Sequence, residues 1–324
     1  GTSLAARLSA QRGRYDGSMS FISILFALLL EQARPLAQSN PVHNAVQGWV
    51  RWVMRNFDAG KPHHGWLAWW MTVAVPGVLV LAIHWALVWT LGWVAAVIWS
   101  VVVLYLTLGF RQFSHHFTEI RDALESGDEE LARRHLATWM HMDATALPRN
   151  EIVRHVIEHS VLSAHRHVFG VLAWYTVLAA LGRGPAGAVV YRVGEYVHRY
   201  VNRPDLTQGQ PVSPAAQLGA DKAWALMEWV PVRVTALGFA FVGSFEEAVD
   251  GWRQHEIHSP GDNDGVVLAA TSGAVNVKLG PLENPGAGQT PQPTHLGAIV
   301  GLVWRTVVLW MVFLALITLA KLIS

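Results

Sequence analysis

The chain contains no cysteine. Disulfides, thiolate nucleophiles and cysteine metal ligands are therefore excluded. Charge is also scarce. Only 15% of the 324 residues are Asp, Glu, Lys or Arg, and the net charge is +1. A nucleic-acid partner would call for a basic excess, so none is expected. The scarcity is concentrated in one place. From Trp66 to Phe110 there is no Lys, Arg, Asp or Glu, and apart from Tyr105 the only titratable group is His84. A bilayer core takes about 20 apolar residues per helix, whereas a buried helix of a soluble domain shows a run of ~10–14. The run is long enough for two spans, with Gly92 placed for the turn between them.

The rest of the composition agrees with a membrane chain: 52% hydrophobic residues and 16 Trp. Residues 1–18 read as a foreign leader and are set aside. The remainder, 19–324, reads as a single all-α integral membrane domain: a helical bundle with a transmembrane hairpin, a C-terminal span and cytoplasmic helices. The hairpin is expected over about 66–89 and 93–110, and the C-terminal span over about 296–320. Phe21–Leu30 is apolar but short, and whether it crosses is left open. Val168–Leu181 and Val234–Val242 are apolar and near or below spanning length.

A short hairpin turn puts both outer ends of the hairpin on one side. Those ends carry Arg51, Arg55 and Lys61, then Arg111, Arg121, Arg133, Arg134, Arg149 and Arg154. Lys/Arg bias of this kind marks the cytoplasmic side, so residues 111–295 are expected to face the cytoplasm. Trp66, Trp69, Trp70, Trp89 and Trp93 fall where interfacial aromatics anchor helices.

In the polar middle, 111–165 reads as helix with charged faces, and Ser126 or Asp128 can cap Glu129–Met140. Asn202–Asp221 and Pro281–Pro293 are rich in Pro and Gly and read as loops.

Several residues could carry chemistry. His155, Glu158 and His159 form an H-x-x-E-H, the spacing of two zinc ligands on one helix face with a base beside them. A chain with 16 His offers such a pattern readily by chance. Trp229-Val-Pro231-Val-Arg233-Val-Thr235 places an arginine at the mouth of an apolar segment, with Pro231 suited to the first turn of a helix. Arg233 there could snorkel or clamp a phosphate or carboxylate. Gly184-Pro-Ala-Gly187-Ala-Val-Val-Tyr191-Arg192 delivers a second arginine from a small-residue segment. Two such segments suggest close backbone packing around an anionic group.

Taken in order, these stretches resemble the CobD/CbiB proteins and their AmpE relatives, from Met19 to Ser324. Asn40-Pro41-Val42 resembles an early HPV. Ser126 to Arg133 resembles GDLEEAR, and Asp143 stands at the downstream RD. Ile157 to Ser160 stands at the start of ESVAEN, and Gly187-Ala188 with Tyr191-Arg192 resembles PGA..YR. Pro231, Arg233 and Thr235 resemble PARLT, although Trp229 to Arg233 is closer to AmpE. Ser259-Pro260 through Asn263 and Gly265, then Gly273-Ala274 and Leu279-Gly280, resemble SPN.G…AGAL…LGG with a small insertion.

The resemblance implies an adenosylcobinamide-phosphate synthase, which joins adenosylcobyric acid to an aminopropanol phosphate with ATP and Mg²⁺. The other outcome it implies is a regulator like AmpE. The departures bear on that choice. Leu162 and Ser163 stand where the synthases carry the second Glu and the Asn of ESVAEN. Arg166-His167 replaces Asp-Gly, Glu195 to His198 replaces NTLD, Trp224 and Ala225 replace paired Asp, and Glu228 replaces an Asn. Losing a set of carboxylates favours an AmpE-like regulatory or ligand-binding protein. An active synthase is the alternative, and a zinc hydrolase a remote one.

Glu158 and Asp143 are the expected acid/base residues. Arg192, Arg233, Tyr191, Ser259, Asn263, Glu195 and Glu228 are the expected ligand-binding set, with no resident metal. A corrinoid or another anionic small molecule and membrane lipid are the expected partners, and homo-oligomerisation is left open.

Overall fold

A computed structural model of the chain describes residues 20–34, 40–58, 60–207, 209–280 and 288–323, where the regular elements are all helices. Residues 1–18 and the first part of Pro281–Pro293 lie outside the described residues. In chain order the helices are α1 (Ser20–Ala33), α2 (Pro41–Phe57), α3 (Pro62–Thr90), α4 (Trp93–Thr107), α5 (Phe110–Glu125), α6 (Glu129–Met140) and α7 (Arg149–Ala164). A π-helical turn, His165–Phe169, leads into α8 (Gly170–Ala180). Then come α9 (Ala186–Asn202), α10 (Pro214–Val242), α11 (Phe245–His258), α12 (Asn263–Val275) and α13 (Thr294–Ile323).

Three stretches are helical, long and apolar enough to cross a membrane: His63–Thr90, Pro214–Val242 and Thr294–Ala320. The first and last match the expected spans. The second half of the expected hairpin is α4, only 15 residues long, because helical geometry stops at Leu108-Gly109 and α5 begins at Phe110. The third long apolar helix, α10, lies inside the stretch expected to face the cytoplasm, and of its length only Val234–Val242 reads as apolar in sequence. Its start reads as loop in the sequence, because Pro214 and Gly219 are breakers by local rules. Pro214 is instead the first helical residue, where a missing N–H costs nothing. Ser213 caps the turn, its Oγ accepting from Ala216 N at 3.1 Å, and Asp58 fixes Ser213 by accepting its N–H at 2.8 Å.

Pro231 was expected to open a helix and instead lies inside α10. A proline in a helix interior frees the carbonyl four residues before it, here Met227. That carbonyl accepts from Trp174 Nε1 of α8 at 3.0 Å. The same arrangement recurs in α3, where Pro76 is interior and the Thr72 carbonyl accepts from Trp49 Nε1 of α2 at 3.1 Å. Two prolines are thus tolerated because an indole N–H from a neighbouring helix takes up each freed acceptor. Trp49→Phe and Trp174→Phe keep most of the ring but strand that acceptor. Each is expected to lower stability by about 1–3 kcal/mol, read from thermal unfolding of the detergent-purified protein.

The helices sort into two compact units, one from 1–109, 170–228 and 313–324, the other from 110–169 and 229–312. In the first, α9 packs on α3 and α8. Gly187 permits the α8–α9 approach, since a Cβ there would stand 2.1 Å from the Trp174 carbonyl oxygen. Trp69, expected at the membrane interface, is buried, whereas Trp89 and Trp93 at the hairpin turn are exposed.

In the second unit, α5, α6 and α7 pack together, and Asp128 caps α6 by accepting from Leu131 N at 2.9 Å. α11 and α12 form a tight antiparallel pair. Gly273 sits against the backbone of Glu247, where a Cβ would come within 2.2 Å of the carbonyl oxygen.

Candidate functional site

In the second unit a charged line runs along one face of α7. Glu151, Arg154 and Glu158 recur at helical spacing, so one guanidinium reaches both carboxylates. Arg154 Nη2 lies 2.7 Å from Glu151 Oε2, and Nη1 lies 3.0 Å from Glu158 Oε1. The three side chains are only 12–15% exposed. Gly280, with φ +98°, closes the arrangement: its N–H donates to Glu158 Oε1 at 2.8 Å, and its carbonyl accepts from Arg154 Nη1 at 3.1 Å. Burial opposes the Arg154 charge, but hydrogen bonds and attraction from Glu151 and Glu158 outweigh it and raise its pKa. The neighbouring His155 is pushed down by burial and by Arg154.

The π-helical turn after α7 re-aims the next side chains; such turns recur at functional sites. His165, fully buried, places Nδ1 2.9 Å from the Thr235 hydroxyl of α10. Arg166 Nη2 lies 2.6 Å from Asp264 on the first turn of α12. Arg233, one turn before Leu237 on α10, stacks over the Trp229 ring at 4.1 Å. It donates to the Trp229 carbonyl at 2.9 Å, to Asn263 Oδ1 at 3.2 Å and to Glu256 of α11. Asn263 is buried at the start of α12, and Asp262 caps that helix by accepting from Gly265 N at 3.0 Å.

The expected residues therefore divide. Glu158, Arg233 and Asn263 lie in the second unit, each in a hydrogen-bonded contact with another motif segment. Ser259 follows the end of α11, is exposed, and donates its N–H to the His255 carbonyl. Asp143 is exposed in the turn after α6, where it accepts from Thr145 N at 3.0 Å and Oγ1 at 2.7 Å. Those two bonds lower its pKa.

Tyr191, Arg192, Glu195 and Glu228 belong to the first unit. There Glu195, 5% exposed, holds Arg192 at 3.2 Å and Arg199 at 3.3 Å. Tyr191 is fully buried, with its ring 5.2 Å from Trp224. Glu228 is buried too.

His155 and His159 occupy one helix, but the His159 ring meets Trp139 edge-on at 4.6 Å while Glu158 is engaged by Arg154 and Gly280. Among the described residues no group of three or more His, Asp or Glu is placed to hold a metal ion.

The expected site does not include Arg154, Glu256 or Asp264, and Arg166 enters the sequence reading only as a departure from the family pattern. The i, i+3 and i, i+4 spacing of Glu151, Arg154 and Glu158 was a local signal for the first. Arg166–Asp264 and Arg233–Glu256 join residues far apart in the chain, and no local pattern announces them.

Residues 24–299 match the family model described as CobD/Cbib protein. The "Cobalamin biosynthesis protein CobD" of Stutzerimonas stutzeri is 28% identical over 315 residues, covering 91% of this chain and 96% of its own length. The protein of the same name from Chromobacterium violaceum is 32% identical over 233 residues, covering 66% of this chain and 69% of its own. The Leptospira interrogans protein of that name is 26% identical over 59% of each chain. No solved structure matches.

Proposed function

The chain belongs to the CobD/CbiB family, and on that premise we propose that it is a membrane-bound corrinoid-processing protein of cobalamin biosynthesis. Its reaction on this reading is that of an adenosylcobinamide-phosphate synthase: the amine of an aminopropanol phosphate displaces an oxygen from a corrinoid carboxyl group to form an amide, and ATP hydrolysis takes up the elements of water released.

One observation carries the reading. Several of the segments that hold the family resemblance meet through direct contacts within the second unit. Glu158 meets Gly280, His165 meets Thr235, and Arg233 meets Asn263. Buried polar contacts cost desolvation wherever they are imperfect, so ties between segments this distant in the chain support a shared site.

On this reading Arg233 takes the anionic group of the amine component, exchanging Glu256 for the ligand. Asn263 orients the guanidinium, and the Glu158–Arg154 pair holds the Gly280 segment against α7. The acidic groups do not fit a magnesium site as arranged, because Asp264 is bonded to Arg166 and Glu158 to Arg154. The inner membrane, with the Lys/Arg-rich ends of α3 and α4 toward the cytoplasm, completes the proposal.

A second reading, an AmpE-like regulatory or ligand-binding protein, is favoured by Arg166. A cation stands where the synthases carry an acid, and Asp264 neutralises it at 2.6 Å.

Complementation separates the two. A strain lacking its own cobinamide-phosphate synthase, supplied with cobyric acid and this gene, is expected to regain cobalamin-dependent growth. Absence of growth with the protein present in the membrane would remove the synthase reading and leave the regulatory one.

A further inference from the structure

The first unit carries a cationic face formed by α2 and α9. On α9, Arg192, Tyr196, Arg199 and Tyr200 recur at i, i+4, i+7 and i+8, the spacing of one helix face. On α2, His43, Arg51 and Arg55 fall within about a third of the helix circumference. The two faces meet. The His43 ring stands edge-on to Tyr196 at 6.2 Å, and Arg199 lies over the Tyr196 ring, 5.4 Å from its centroid. Arg51 acts electrostatically on both phenols and Arg55 on Tyr200.

Charge on this face is far from balanced. Glu195 is the one carboxylate that acts on His43 and Tyr196, and it is engaged by Arg192 at 3.2 Å and Arg199 at 3.3 Å. Asp58, just past the end of α2, accepts the Ser213 N–H at 2.8 Å and the Ser213 hydroxyl. Arg51 is half-buried and Arg55 exposed, and neither has an ion-pair partner among the described residues. Four guanidinium groups therefore face one carboxylate. His43 registers the excess: partial burial and the positive field of Arg192 and Arg199 lower its pKa against the pull of Glu195.

Membrane topology accounts for cations near the start of α3. It does not account for the phenols. Tyr196 and Tyr200 are 6% and 2% exposed. Burial raises their pKa values although the arginines pull the other way, so both keep their protons. Neither hydroxyl has a hydrogen-bond partner among the described residues, and neither is sealed from solvent. A tyrosine hydroxyl ordinarily finds a partner when its ring is buried. Two open donors beside uncompensated guanidinium groups call for an acceptor with several oxygens and more than one charge. A phosphate group has both, with up to ~2 charges and three strong acceptor oxygens. A carboxylate brings a single charge.

We propose that the α2–α9 face is a phosphate-binding site, in which Arg51, Arg55 and Arg199 supply the charge and Tyr196 and Tyr200 donate hydrogen bonds. Glu195 holds Arg192 and Arg199 in place. The phosphate belongs to a soluble monoester or to the headgroup of a membrane lipid. The site uses no residue of the Arg233 arrangement and stands whether or not the synthase reading does.

The test is isothermal titration calorimetry of the full-length protein in a neutral detergent, with ethyl phosphate and dihexanoyl phosphatidylglycerol as probes. At least one is expected to bind, with an affinity that falls as sodium chloride is raised. Arg51→Gln combined with Arg55→Gln should weaken that binding roughly ten-fold or more, and Tyr200→Phe about five-fold. Arg183→Gln, the same loss of charge at an exposed arginine outside this face, should leave it unchanged. Tighter binding of ethyl phosphate assigns a soluble monoester, tighter binding of the lipid a membrane headgroup, and either result supports the site. Failure of both probes to bind the unaltered protein overturns the proposal without reference to any variant. So does binding that persists in a folded protein carrying both Arg51→Gln and Arg55→Gln, or that Arg183→Gln weakens equally.

Discussion

Arg154→Ala is expected to lower stability by about 3–5 kcal/mol, the cost of removing one partner from a buried ion pair. The reason lies in what stays behind. Glu151 and Glu158 are both 15% exposed. Without the guanidinium they become two poorly solvated like charges on one helix face. The Gly280 carbonyl also loses its donor, so the segment after α12 detaches from α7 on one side. Thermal unfolding in mild detergent should show a fall on the order of 10 °C. Arg154→Lys keeps the charge but cannot bond two carboxylates and a carbonyl from one planar fork, and should recover only part of the loss. Glu151→Gln, which leaves the Glu158–Gly280 contact in place, should cost about 1 kcal/mol. An Arg154→Ala protein as stable as the parent would show that the α7 line contributes nothing to the fold.

The same residues mark where the sequence is legible. Long apolar runs announce themselves because a bilayer demands length, and α3 and α13 fall where that demand put them. The Asp128 cap was readable for the same reason: capping is local. α10 was misread because Pro214, Gly219 and Pro231 are breakers by local rules. Whether a proline can sit inside a helix depends on a partner elsewhere, here the Trp174 indole N–H at the Met227 carbonyl. No window of sequence around Pro231 contains Trp174.

The site shows the same division. Glu158, Arg233 and Asn263 could be singled out by residue type and resemblance to the family. Their surroundings are set by tertiary packing: Gly280 lies 122 residues from Glu158, Glu256 lies 23 from Arg233, and the π-turn residue Arg166 pairs with Asp264, 98 residues on. Asp143 shows the reverse. Its position in a motif drew attention, but it makes a local bond to Thr145 in an exposed turn, which is what an aspartate at that place does without any ligand.

Arg233 separates a ligand-binding role from a structural one more sharply than any other position. Arg233→Ala removes the Asn263 and Glu256 bonds and the stacking on Trp229. It is expected to cost about 2–4 kcal/mol, given roughly 1.5–3 kcal/mol for a hydrogen bond to a charged group and up to about 2 for a cation over an aromatic face. Loss of function in that protein alone would be ambiguous. Arg233→Lys resolves it. An ammonium can reach Glu256 and keep that corner neutral, so stability should stay within about 1–2 kcal/mol of the parent. It cannot hold Asn263 and a planar anion at once, so complementation should fall roughly 30-fold or more, as expected when a buried charged contact worth 2–5 kcal/mol is lost. Glu256→Gln makes the opposite change. It loosens the internal partner, leaves the guanidinium in place, and under the clamp reading should keep growth at or near the parental rate. A structural role predicts another order, in which Glu256→Gln and Arg233→Lys are both mildly unstable and both active. Growth of the Arg233→Lys strain at the parental rate would therefore remove Arg233 from the ligand site and leave it a purely structural tie between α10 and the α11–α12 pair.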